Sequence, residues 1–149
     1  MARPIDFFAY GTLLDQRRMM EAVERWDGLR TARLADHRLR FSRFSESWKG
    51  ATADLAESAG ESVYGVVYRL LSDQARALRR LHPGYVERRL TVETRAGALG
   101  VTALVVEHPA SSLRPDPAYV MAIDEGMRQH GFAPEIRAAL WRWTGLVPP

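Results

Sequence analysis

The sequence predicts an α+β fold in which a barrel-like sheet carries helices on its outside. Three observations predict it. Short segments rich in Val, Thr, Tyr and Phe recur between residues 5 and 107, with turn-forming stretches between most of them. Segments with apolar residues at helical spacing interrupt and follow these strands. No repeat, low-complexity tract or linker divides the 149 residues, so they suit one compact domain over 1–149, able to bury about 70% of its unfolded surface.

Taken in order, Ile5-Asp6-Phe7-Phe8-Ala9-Tyr10 has the aromatic and branched content of a buried strand, and it breaks at Gly11-Thr12. Asp15 to Trp26 sets Met19, Met20, Val23 and Trp26 among charged residues, as an amphipathic helix with Asp15 near its start would. Thr31–Leu34, His37–Phe41 and Ala51–Leu55 are strand candidates, and Ser62–Leu70 is the strongest, with Glu57-Ser58-Ala59-Gly60-Glu61 expected to be the turn before it. Ser72 or Asp73 caps a helix through Ala75, Leu78 and Leu81 that stops at Pro83-Gly84, since proline lacks an N–H and glycine frees the backbone. Tyr85–Glu93 should pair with Gly100–Glu107 through a turn at Arg95–Ala98. After a loop from Pro109 to Pro117, Tyr119, Val120, Ile123 and Met127 form a helical stripe ending at Gly131, and Pro134 to Trp141 is the last helix.

Composition narrows the function classes. The chain has no cysteine, which excludes disulfides, thiolate metal sites and a cysteine nucleophile, and suits a reducing cytoplasm. No run approaches the roughly 18 apolar residues of a membrane span, and Met1–Asp6 is not followed by a signal-type apolar core, so a cytoplasmic protein without membrane attachment is expected. The net charge is only +3, and Lys49 is the only lysine, so arginine has largely replaced lysine along the whole chain. Arg76, Arg79 and Arg80 stand at helical spacing, as on a solvated helix face. A nucleic-acid footprint would cluster with aromatic stacking partners, and no nucleic-acid partner is expected.

Several motifs match one family in order. Phe8-Ala9-Tyr10-Gly11-Thr12-Leu13 resembles the F-x-Y-G-S/T-L signature of the gamma-glutamylcyclotransferase-like superfamily, which includes AIG2-like proteins and gamma-glutamylamine cyclotransferases. Gly50-Ala51-Thr52-Ala53-Asp54-Leu55 with Val63-Tyr64-Gly65-Val66-Val67-Tyr68 is similar to that family's central pair of strands. Pro115-Asp116-Pro117-Ala118-Tyr119, with Ile123, Gly126, His130-Gly131-Phe132 and Pro134-Glu135, is similar to its C-terminal stretch. The resemblance implies a small mixed β-barrel with peripheral helices and a pocket for a small molecule carrying a gamma-glutamyl group. It also implies a reaction in which the substrate's α-amine attacks its own γ-carbonyl, forming 5-oxoproline and releasing an amine or amino acid.

On this resemblance Tyr10, Gly11, Thr12 and Leu13 form the substrate loop, with backbone N–H groups turned to the ligand and glycine leaving room for it. Tyr85 and Tyr119 are expected in the pocket, and Asp54 is a further candidate. No metal or organic cofactor is implied. The family's catalytic glutamate lies in an L-D-x-x-E-G stretch, which corresponds here to Leu78-Arg79-Arg80-Leu81-His82-Pro83, so that His82 occupies the glutamate position. Two residues are therefore candidates for the acid/base role. His82 is one, and Glu87, on the same strand face as Tyr85, is the other. A catalytically silent binding protein that retains the pocket is the alternative to an enzyme.

Overall fold

A computed structural model describes residues 3–149. Its strands are β1 (Pro4–Ala9), β2 (Leu29–Ser45), β3 (Gly50–Leu71), β4 (Tyr85–Thr94) and β5 (Gly97–Val106), and its helices α1 (Gln16–Val23), α2 (Ser72–Leu81), α3 (Pro117–Gln129) and α4 (Pro134–Thr144). The strands close into a barrel in the order β1-β3-β2-β4-β5. Four neighbouring pairs are antiparallel, and β5 closes the ring onto β1 in parallel at Phe7 and Thr102. The sheet is therefore mixed, as expected.

The strand readings are corrected in one important respect. Glu57–Glu61 is not a chain-reversing turn: β3 runs through it for 22 residues, and β2 likewise joins the two segments read around residues 31–41. Between the pairs Ala35/Ser62 and His37/Glu57 the register jumps, so an irregular bulge absorbs the extra residues. Gly60 adopts φ +82° there and donates its N–H to the Asp36 carboxylate at 3.0 Å. A bulge uses the same Gly, Ser and Asp chemistry as a turn, which is why composition alone reads it as a reversal. The true reversal is the Glu46–Lys49 turn, where the Lys49 N–H bonds the Glu46 carbonyl at 3.3 Å.

α1 and α3 begin at side-chain caps, whereas α2 starts at Ser72 directly after Leu71, with Ser72 and Asp73 inside the helix rather than capping it. Asp15 and Asp116 accept from the N–H groups of Arg17 and Ala118 at 2.9 Å, and Pro117 and Pro134 open α3 and α4. α1 stops at Val23, short of the expected Trp26, because Glu24 leaves helical geometry; Trp26 instead packs edge-on against Tyr68, ring centres 5.0 Å apart. One buried cluster joins barrel residues such as Phe8, Leu39 and Val66 to Leu78 of α2, Ile123 of α3 and Leu140 of α4. Each fully buried side chain of this size contributes about 1.5–3 kcal/mol. No helix among the described residues is long and apolar enough to cross a membrane.

Asp124 locks α3 to α4. It accepts from Arg137 Nε at 2.9 Å and Nη2 at 3.1 Å, and from Arg128 Nε at 3.2 Å. Burial alone would raise its pKa, but the hydrogen bonds and charge of Arg137 outweigh burial and hold the carboxyl below its ordinary value. A depressed folded pKa contributes stability that is fully present above the unfolded value, near pH 4, and is lost as the pH falls through the folded value. Urea unfolding at pH 7 and pH 3 should show a smaller loss for Asp124→Asn than for the wild type. Equal losses would remove Asp124 from the acid response.

Candidate active site

The segment between β1 and α1 is held on its carbonyl side and open on its amide side. After β1 the chain passes Tyr10 and Gly11 into a 3₁₀ turn over Thr12–Leu14. The Gly11 and Thr12 carbonyls accept from the N–H groups of Leu14 and Asp15 at 3.1 and 3.2 Å. Tyr68 donates its hydroxyl to the Leu13 carbonyl at 2.8 Å, and His130 Nε2 lies 2.8 Å from the Leu14 carbonyl. Tyr10 donates its hydroxyl to the Leu104 carbonyl, anchoring the start of the loop to β5. By contrast, the N–H groups of Thr12 and Leu13 make no hydrogen bond among the described residues. Such orphan donors at the head of a helical turn suit a carbonyl or carboxylate oxygen.

A cleft opens beside this loop, lined by Phe7, Phe8, Ala9, Tyr10, Gly11, Thr12, Leu13, Ala53, His82, Tyr85, Leu104 and Tyr119. It holds about 420 Å³ of space between atoms, part of it open to solvent. Gly11 faces it. A Cβ placed there would lie 3.7 Å from the Tyr119 hydroxyl and 3.8 Å from Ala53 Cβ, so the protein tolerates the atom and only the cleft loses room.

Two tyrosines grip the peptide groups of Ala53. The Tyr119 hydroxyl accepts the Ala53 N–H at 2.8 Å, and the Tyr85 hydroxyl donates to the Ala53 carbonyl at 2.7 Å while lying 2.8 Å from Thr52 Oγ1. Tyr119 makes no donation within the described residues, so its proton is available to a ligand. Burial pushes the Tyr10 and Tyr119 hydroxyls well above their ordinary pKa, and burial pushes Tyr85 up to about 12. All three therefore stay protonated near neutral pH and serve as donors rather than bases.

His82 follows α2 as its C-terminal cap and lines the cleft. Its Nδ1 lies 2.7 Å from the Leu78 carbonyl oxygen, its ring edge meets Tyr85 with centres 6.0 Å apart, and Nε2 has no partner among the described residues. A bond to a carbonyl requires Nδ1 to carry the proton, so in the neutral ring the lone pair is on Nε2.

The structure thus brings together seven of the residues singled out from sequence: Tyr10, Gly11, Thr12, Leu13, Tyr85, Tyr119 and His82. It does not bring Glu87 to them. Glu87 is exposed on β4 opposite Leu104, and no carboxylate lines the cleft. Asp54 is fully buried behind the cleft wall, accepting from Arg40 Nε at 2.7 Å, Ser42 Oγ at 2.9 Å and the Val106 N–H at 3.0 Å. It stands one residue from Ala53 and so turns to the other face of β3, where it ties β2, β3 and β5 together. Sequence reasoning missed Ala53, Thr52 and Leu104. The alternation along β3 would have pointed to Ala53, which shares a motif with Asp54. No group of three or more His, Asp or Glu among the described residues is placed to hold a metal ion.

The fold is thus a five-stranded mixed barrel with four helices, in which unpaired loop amides and three tyrosines border one cleft at the end of β1. The family model for gamma-glutamyl cyclotransferase, AIG2-like, matches residues 7–125, and the chain belongs to that family. Gamma-glutamylcyclotransferase of Mus musculus is 30% identical over 142 residues, covering 90% of this chain and 76% of that protein. The Bos taurus protein of the same name is 29% identical over the same length. Among solved structures, a gamma-glutamyl cyclotransferase superposes with a TM-score of 0.86 at 25% identity, covering 99% of this chain and 90% of the other. An uncharacterized human protein follows at 0.85 and 25%, covering 98% and 89%.

Proposed function

We propose that this protein cyclises a gamma-glutamyl amide to 5-oxoproline and releases an amine or amino acid, with His82 as the acid/base group. The observation that carries this reading is the composition of the cleft wall: orphan N–H donors and the Tyr119 hydroxyl at the loop, and the unpartnered Nε2 of a titratable His82 in the same cleft. The Thr12 and Leu13 N–H groups suit the γ-carbonyl oxygen, on which charge develops as the ring closes. His82 removes a proton from the α-ammonium, and the freed nitrogen attacks the γ-carbonyl carbon. The new C–N bond closes a five-membered lactam as the old amide C–N bond breaks. Two protons in all leave the ammonium, and the departing nitrogen gains two, so it leaves as an ammonium and His82 returns to its starting form. Ring closure is intramolecular, and orientation of this kind is worth roughly 7–11 kcal/mol in favourable cases, so the protein's main task is folding the substrate into attacking geometry.

The absence of a carboxylate from the cleft lining favours a second reading, a binding protein without turnover. Incubation with gamma-glutamyl amino acids and gamma-glutamyl amines, followed by measurement of 5-oxoproline, separates the two. Release of 5-oxoproline is expected. Calorimetric binding without any 5-oxoproline would establish the binder instead.

A further inference from the structure

The cleft does not end at His82. It continues outward into a polar groove beside the β2–β3 turn, and Thr12, His82, Tyr85 and Tyr119 line both spaces. On the reading above, the leaving nitrogen departs next to the group that reprotonates it. The released half of the substrate must therefore lie in the groove.

The groove's lining carries one guanidinium, that of Arg43. A bulge at Ser42 shifts the β2–β3 register between Phe41 and Arg43 and thereby sets Arg43 at the groove wall. The Arg43 guanidinium lies flat over Gly84, whose φ is +85° and where a Cβ would overlap guanidinium atoms. Arg43 is half-buried and forms no ion pair among the described residues. A second guanidinium, that of Arg18, sits 5.2 Å from the centre of the Trp48 ring, another part of the same wall. Glu46 is the acidic residue of the lining; it is exposed at the β2–β3 turn and forms no ion pair among the described residues. Two large apolar side chains flank the opening, Phe44 at 56% and Leu81 at 60% exposure.

We propose that this groove is the leaving-group subsite, that Arg43 binds the α-carboxylate of a departing amino acid, and that Phe44 and Leu81 take an apolar side chain. The substrate is then a gamma-glutamyl amino acid rather than a gamma-glutamyl amine. This inference rests on the cyclotransfer reading for the placement of the two halves. A guanidinium offers a carboxylate paired, charge-assisted donors, which a neutral alkyl leaving group cannot use.

Gamma-glutamyl-leucine and gamma-glutamyl-isoamylamide test it, because their leaving groups differ only in the carboxylate. The wild type should show a KM about tenfold lower for the leucine compound, and Arg43→Gln should close that gap by raising the KM for the leucine compound. Equal KM values in the wild type, or a gap that Arg43→Gln leaves intact, would overturn the proposal. If neither compound yields 5-oxoproline, the cyclotransfer reading fails, and calorimetric titration of the same two compounds still reads the subsite. A Kd gap that Arg43→Gln closes supports the carboxylate site; equal affinities, or no binding of either compound, sink it.

Discussion

His82→Gln should lower 5-oxoproline formation by about 10²–10⁴-fold, the range lost when a sole general base is removed, while Glu87→Gln should stay near the wild-type rate. The sequence reading leans to Glu87, since a carboxylate can both hold the ammonium and accept its proton, and the surroundings of the two residues favour His82 instead. His82 lines the cleft with Nδ1 committed to the Leu78 carbonyl at 2.7 Å, which orients the ring and leaves Nε2 as the proton acceptor. Glu87 is exposed and outside the lining. Glutamine at position 82 retains a side-chain donor for the Leu78 carbonyl but has no basic nitrogen, so helix capping is preserved while proton transfer is lost. A thermal melt close to that of the wild type would verify that the loss is chemical. If Glu87→Gln takes the loss and His82→Gln does not, the assignment of the base is wrong. If both remain fully active, another group moves the proton.

Gly11→Val should abolish binding of gamma-glutamyl compounds with little change in stability, whereas Gly65→Ala should be destabilised by about 1–3 kcal/mol. The two glycines are small for opposite reasons. At Gly11 the backbone φ is −115°, outside the left-handed region, and the nearest atoms to an added Cβ are 3.7 and 3.8 Å away. The methyl groups of valine would therefore fill the cleft rather than strike the protein. At Gly65 a Cβ would overlap the Ala9 carbonyl oxygen and come within 2.8 Å of the Phe8 ring, so β1 and β3 could not approach as they do. Calorimetric titration and thermal melts of the two variants should show the split. If Gly11→Val binds as well as the wild type, the ligand does not sit against this loop.

Much of this architecture was open to a local reading. The end of β1 at Tyr10-Gly11-Thr12, the α3 cap at Asp116-Pro117, the opening of α4 at Pro134 and the β4–β5 hairpin all rest on interactions within a few residues, and spacing and turn chemistry are sufficient for these. The family resemblance, rather than spacing, pointed to the seven pocket residues: the loop contributes four as a continuous run, α2 runs almost directly into β4 and so places His82 and Tyr85 together, and α3 brings Tyr119 to them.

Long-range pairing decided the rest. Whether Glu57–Glu61 reverses the chain depends on which strand lies opposite, and β2 continues alongside it, with Asp36 holding Gly60 in a bulge. Period-two alternation puts Tyr85 and Glu87 on one strand face, but two residues along a strand advance the side chain by about 6–7 Å, and only the closed barrel determines that the cleft lining includes Tyr85 and not Glu87. Asp54 depends on three elements at once: its acceptors are filled by Arg40 and Ser42 of β2 and by Val106 of β5, none of them near it in sequence. The sequence by itself determined the family, the starts of α1, α3 and α4 and the glycine break after β1, because those signals are local. Only the tertiary structure decided which titratable group reaches the cleft and which carboxylate is consumed in holding the barrel, because burial and hydrogen-bond satisfaction are properties of the assembled strands.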